Sequence, residues 1–188
     1  MYLHTHNILK NIVALSIVTM FFSCGNNSNE LQAFFSTKNL PIGVTKDIAH
    51  VYKDSGRITT KMKSPLLWDF SNRIEHPYNE FPEGIQLITF QNLGKDSITI
   101  SGNYALSFTK TLISELKGNV VIINHTDKTR LETEQLFLDE NTDYVYSEKK
   151  FTLTTENDVI YGVGFESKKD LSKFSAKKQS SQHLINEN

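Results

Sequence analysis

Apolar and polar side chains alternate with a period of two along most of this chain. Val159, Tyr161, Val163 and Phe165 share one parity, with Ile160, Gly162 and Gly164 on the other. Phe151, Leu153 and Thr155 alternate with Thr152 and Thr154. Leu131, Thr133 and Gln135 alternate with Glu132 and Glu134, and Ile58, Thr60 and Met62 with Thr59, Lys61 and Lys63. Such alternation, carried by β-branched and aromatic residues, predicts half-buried strands from about Val44 onward. Turn signals separate the runs: Asp54-Ser55-Gly56, Asn92-Leu93-Gly94, Lys117-Gly118-Asn119, His125-Thr126-Asp127, Asp139-Glu140-Asn141 and Glu156-Asn157-Asp158. The intervals are too short for crossover helices, so the strands must be antiparallel and joined by hairpins. Helical patterning is confined to Asn29–Phe35 and the last dozen residues.

The strand pattern also repeats. Ser97–Asn124 reads strand, polar turn, strand, then Gly-Asn-Val-Val-Ile-Ile-Asn, and Thr129–Thr155 reads the same way. Arg57–Phe70 and Val159–Phe174 look like less complete copies on either side. Strand pairs stacked in this way bury one continuous interior.

The first residues have a different pattern. Ile12 to Ser23 is an apolar run that follows a short polar stretch with Lys10. It matches the core of an export signal and falls short of the roughly 18 residues of a spanning helix. The run ends on Phe21-Phe22-Ser23-Cys24, and a small residue before a lone Cys resembles a bacterial lipobox, in which the thiol is acylated. The expected organisation is therefore a signal over 1–23, lipidation at Cys24, a tether over 24–43, a β domain over 44–175 and a polar tail over 176–188. An unpaired thiol would otherwise be a liability in an exported protein.

Composition narrows the function. Cys24 is the one cysteine among 188 residues, so neither an intrachain disulfide nor a cysteine metal cluster can form. A net charge of −1 lacks the basic excess of a nucleic-acid binder. His4, His6, His50, His76, His125 and His183 are scattered without metal-ligand spacing, and the chain has neither a nucleophile elbow nor a phosphate loop. Glu132 and Glu134 fall on the solvent parity of their strand. The residues thus call for no cofactor and no catalytic site. Twelve Phe and seven Tyr instead furnish a large apolar interior. A groove of that kind takes an acyl-chain amphiphile, with Leu106, Phe108, Val120, Ile122, Phe151, Leu153, Tyr161, Val163 and Phe165 on the apolar parity of their strands. A closed structural or surface β-sandwich lipoprotein, without lipid transfer, would show the same alternation.

An ordered set of short runs adds a resemblance. Tyr52-Lys53-Asp54-Ser55-Gly56-Arg57-Ile58 precedes Ser64-Pro65-Leu66-Leu67, then Pro77-Tyr78-Asn79-Glu80-Phe81-Pro82-Glu83-Gly84-Ile85 and Tyr104-Ala105. Gly118-Asn119-Val120-Val121, Leu131 to Leu136 and Ile160-Tyr161-Gly162-Val163-Gly164 follow. In this order they are similar to the LptC family of lipopolysaccharide export, in a lipoprotein form like that of Bacteroidota. The resemblance implies an open, folded-over antiparallel β-jellyroll, non-enzymatic, in the periplasm and held at the inner membrane by its lipid anchor or N-terminal segment. It implies lipopolysaccharide as ligand, taken from an ABC transporter whose permeases carry periplasmic jellyrolls. It also implies an LptA-like bridge protein as the next acceptor, met through a C-terminal edge strand around Val159–Phe165, with the N-terminal edge around Ile48–Tyr52 facing the transporter.

Overall fold

The computed structural model describes Phe34 and residues 39–183. Its first hairpin shows how local chemistry sets the fold. Strands β1 (Gly43–Asp54) and β2 (Arg57–Phe70) meet at Ser55-Gly56, whose φ angles of 48° and 78° are the left-handed pair that a tight hairpin turn requires. Nine more strands follow: β3 (Tyr78–Phe81), β4 (Ile85–Gln91), β5 (Asp96–Gly102), β6 (Tyr104–Phe108), β7 (Ile113–Asn124), β8 (Thr129–Asp139), β9 (Tyr144–Thr154), β10 (Asp158–Lys168) and β11 (Ser175–His183). All pair antiparallel in one sheet, so the chain folds as an all-β jellyroll. From β7 to β11 the order in space is the order in sequence.

Two long strands frame the other half. The first part of β2 pairs with β4, through Thr60–Lys63, and its last part pairs with β3, through Trp68–Phe70. In the same way β7 pairs with β6 through Ile113–Lys117 and with β5 through Val121–Asn124. The β4–β5 and β3–β6 pairs therefore sit end to end between the same two strands, and the sheet folds over into two layers between them.

The fold line follows a row of irregular backbone positions. Pro65 has no N–H to give, and the β1–β2 register passes over it and Asp47, which adopts φ 51°. The registers of β7–β8, β8–β9 and β9–β10 each shift by one residue near Gly118-Asn119, near Gln135 and at Gly164. Such bulges bend a strand and raise its twist. Side chains satisfy the backbone there: Ser64 Oγ lies 2.7 Å from the Gly84 carbonyl, and Thr133 Oγ1 donates to the Lys150 carbonyl at 2.8 Å. Lys117-Gly118-Asn119, expected as a turn, is instead one of these bends inside a continuous β7. The left-handed φ of 71° and 47° at Gly118 and Asn119 that marks a turn in sequence here serves a bulge.

The C-terminus departs from expectation as well. Residues 175–183, all but the first within the stretch 176–188 read as a polar tail, form β11 against β10. The sequence Ser-Ala-Lys-Lys-Gln-Ser-Ser-Gln-His lacks alternation because β11 lies at the edge and Ala176 is its one side chain packed on the core. Backbone pairing with β10 places it, helped by Ala176 and by the ion pair of Lys177 with Glu148. Of Asn29–Phe35 only Phe34 is described, and the signal region and Cys24 lie outside the described residues.

Between the layers lies one apolar core that runs from Ile48 and Met62 through Ile100, Leu116, Ile122 and Leu131 to Val145, Phe151 and Phe165. One rung of it crosses six strands in register: Met62, Leu87, Ile100, Ile122, Leu131 and Leu153.

Candidate functional site

The core is not filled evenly. On the side of β1 to β6 the layers part around a cavity of about 590 Å³. Met62, Leu87 and Ile100 line it from one layer and Phe81, Ala105 and Leu116 from the other. Alternation places them there. Leu87 pairs with Met62 and Ile100, while Ala105 pairs with Phe81 and Leu116, so each layer turns a matched apolar rung inward.

Toward the open rim the lining becomes polar. The next inward rung of the second layer carries Asn79, Ser107 and Ser114, with Ser114 Oγ donating to Ser107 Oγ at 3.0 Å. Thr60 and Thr89 face them from the first layer. At one corner of the rim stand Glu140, Asp143 and Lys169. Lys169 Nζ bonds Asp143 Oδ1 at 2.5 Å. Partial desolvation holds the Glu140 carboxyl above its ordinary range; the Lys169 ammonium opposes that shift and Asp143 adds to it. An apolar interior with a hydroxyl-lined rim and one ion pair provides contact for hydrocarbon below and for a hydrated group above.

The residues expected in the groove divide into three groups. Val120 and Ile122 (0% exposed), Phe151, Leu153 and Phe165 are buried together, as their parity predicts, but in the filled half of the core and away from the cavity wall. Phe108 is half-buried; it reaches the rim of the cavity and lies 6.0 Å from the Tyr78 ring. Leu106, Tyr161 and Val163 face the other way. Leu106 stands on the outer face between Glu80 and Glu115. Tyr161 and Val163 are 44% and 42% exposed, and Ile160 and Gly162 take the inward positions in their place. The cause is the bulge at Gly164, whose φ of 72° suits glycine. It reverses the parity of β10, so Phe165 and Val163, two apart in sequence, point to opposite faces.

Sequence reasoning missed the actual wall: Met62, Phe81, Leu87, Ile100 and Leu116. The signal was available, since Ile85-Gln86-Leu87-Ile88-Thr89 and Ser97-Ile98-Thr99-Ile100 alternate as well as any run in the chain.

The edges complete the geometry. Among the described residues β1 has no partner beyond β2, and β11 none beyond β10. Val159–Phe165, expected as the C-terminal edge, is interior to the sheet because β11 pairs with it from Val159↔Gln182 to Phe165↔Ala176. No helix among the described residues is long and apolar enough to cross a membrane.

No curated protein matches the chain. At the level of families, residues 44–181 match "Lipopolysaccharide-assembly, LptC-related", a span that begins one residue into β1 and ends within β11. With its jellyroll matched nearly end to end, the chain belongs to the LptC family of lipopolysaccharide assembly.

Proposed function

We propose that the domain takes acyl chains of lipopolysaccharide into the inter-layer cavity and relays the lipid from the inner-membrane ABC transporter to the next periplasmic jellyroll. The observation that carries this reading is the open apolar cavity inside a fold of this family. Burial is worth about 25 cal/mol per Å² of apolar surface, so a chain resting on the Met62–Leu87–Ile100 rung gains several kcal/mol, enough to hold a lipid and still release it. The two free edges supply unpaired N–H and C=O groups for strand addition by neighbouring jellyrolls. In this scheme β1 meets the permease jellyrolls, and β11, rather than β10, meets the LptA-like bridge protein.

The test is photo-crosslinking in cells. A photoreactive residue at Leu87 should capture lipopolysaccharide in a manner that depends on ATP-driven transport, and one at the outward Tyr161 should capture little. Equal capture at the two positions, or none at Leu87, would overturn the groove reading.

We also propose that Cys24 carries the lipid that holds the protein at the membrane. The reading rests on the apolar run that ends at Ser23-Cys24. More than one acyl chain is needed for firm anchoring, at roughly 0.8 kcal/mol per buried CH₂. Cys24→Ser should accumulate a slower-migrating precursor and lose metabolic labelling with an alkyne fatty acid. Unchanged migration and labelling would refute it.

A further inference from the structure

The interior has a second half that the cavity does not reach. The cavity ends at Leu138 and Lys169. Beyond it lie Leu131, Val145, Phe151, Leu153 and Phe165, each at most 5% exposed. These walls continue the same rung: Met62, Leu87 and Ile100 line the open part, while Ile122, Leu131 and Leu153 carry it on under cover.

The cover is the segment between β10 and β11, residues 169–174. Leu171 reaches into the core and is 8% exposed. Phe174 lays its ring 5.2 Å from Phe151 and 5.6 Å from Phe165. Polar contacts tie the segment down beside these two apolar ones. Asn124, itself buried at the end of β7, donates from Nδ2 to the Asp170 carbonyl at 2.8 Å. Asp170 Oδ1 accepts from Ser172 N at 2.9 Å and from Ser172 Oγ at 2.6 Å, and Lys169 is bound to Asp143 through both its backbone N–H and its ammonium.

Two features mark how this closure is held. Leu171 holds φ 65°, the left-handed region that a leucine occupies only under constraint. Beneath the segment, Ser167 Oγ is fully buried with no hydrogen-bond partner. The plug is thus held by two apolar side chains and a few exchangeable hydrogen bonds, a contact set small enough to open as a local unit without global unfolding.

We propose that the covered half is a second acyl-chain compartment, and that residues 169–174 form a latch whose release extends the open cavity along the shared rung toward β11. The inference rests on the groove reading above and deepens it: lipid would occupy the open half first and advance under the latch toward the C-terminal edge.

The experiment uses the purified full chain and palmitic acid bearing a diazirine in its tail, with labelled positions mapped by mass spectrometry. Wild-type protein should be labelled around Leu87 and Ile100. Phe174→Ala, which removes the ring packed on Phe151 and Phe165, and Leu171→Gly, which removes both plug and strain, should each raise labelling of β8 and β9 at least tenfold. Labelling around Leu87 should be unchanged in both. Cavity labelling with β8 and β9 unlabelled in the folded variants would overturn the latch, as would equal labelling of both halves in wild type. No labelling anywhere would overturn the groove itself, and the latch with it. Hydrogen exchange on wild type supplies a measurement that needs no variant. Amides of Leu171 to Phe174 should exchange at least tenfold faster than those of Val163 to Ser167, and equal protection would refute an opening latch.

Discussion

Leu87→Asp should arrest lipopolysaccharide transfer while leaving the domain folded. Leu87 is half-buried and stands in the cavity wall between Met62 and Ile100. A carboxylate there faces the space that the proposed function gives to a hydrocarbon chain, and a chain laid over it would strip its water without offering a partner. An uncompensated buried polar group costs about 1–3 kcal/mol in proteins, and an ionised one more. In the empty protein the carboxylate keeps its water through the open rim, so the penalty falls mainly on the lipid-bound state. Lipopolysaccharide should fail to reach the cell surface, and circular dichroism and the thermal midpoint should stay near wild type. Leu87→Met, which conserves volume, should transfer normally. A folded Leu87→Asp protein that supports normal surface lipopolysaccharide would show that the cavity is not the path.

The largest structural effect is expected at Gly162. A Cβ on this residue would lie 2.3 Å from the Lys178 carbonyl of β11 and 2.5 Å from two ring carbons of Phe151. The first contact is with backbone and the second with a ring packed against Phe165 and Phe174, so neither neighbour can yield cheaply. Overpacking of this kind costs about 1–3 kcal/mol. At roughly 2–4 °C per kcal/mol for a domain of this size, Gly162→Ala should lower the thermal midpoint by several degrees. The loss should appear first as exchange of β11 amides, because β11 contributes just Ala176 to the core and is held by its pairing with β10. A variant within about 0.5 kcal/mol of wild type, the ordinary range for a surface substitution, would mean that β11 does not approach β10 this closely.

The value of alternation as a guide varied from strand to strand. In β8 the inward Leu131 and Thr133 and the outward Glu132 and Glu134 can be read directly, because no bulge intervenes between them. In β9 Phe151 and Leu153 are equally legible. In β10 the same reading fails at Tyr161 and Val163, since one bulge at Gly164 reverses the parity and no local residue type announces which side of it faces the core. The turn chemistry at Ser55-Gly56 was explicit, but Gly118-Asn119, a left-handed pair of equally turn-like residues, bends a strand instead of ending it. β11 was illegible for another reason. An edge strand with little side-chain burial carries no hydrophobic pattern, and its placement follows from partners nine to twenty-five residues away. The cavity wall was hidden for a third reason: parity separates inside from outside but does not tell filled core from open groove. That distinction depends on how two layers diverge, which is a property of the fold line.

The two free edges have a consequence for symmetry. β1 is an N-terminal strand whose hairpin partner crosses both layers, and β11 is a short polar strand lying on β10. They are different surfaces, so whatever adds to one cannot add in the same way to the other. A contact that joins a β1 edge to a β11 edge is therefore heterologous: a row built on it runs head to tail, stays open at both ends and has a built-in direction, whereas an edge paired with its own copy would close into a two-fold pair and stop.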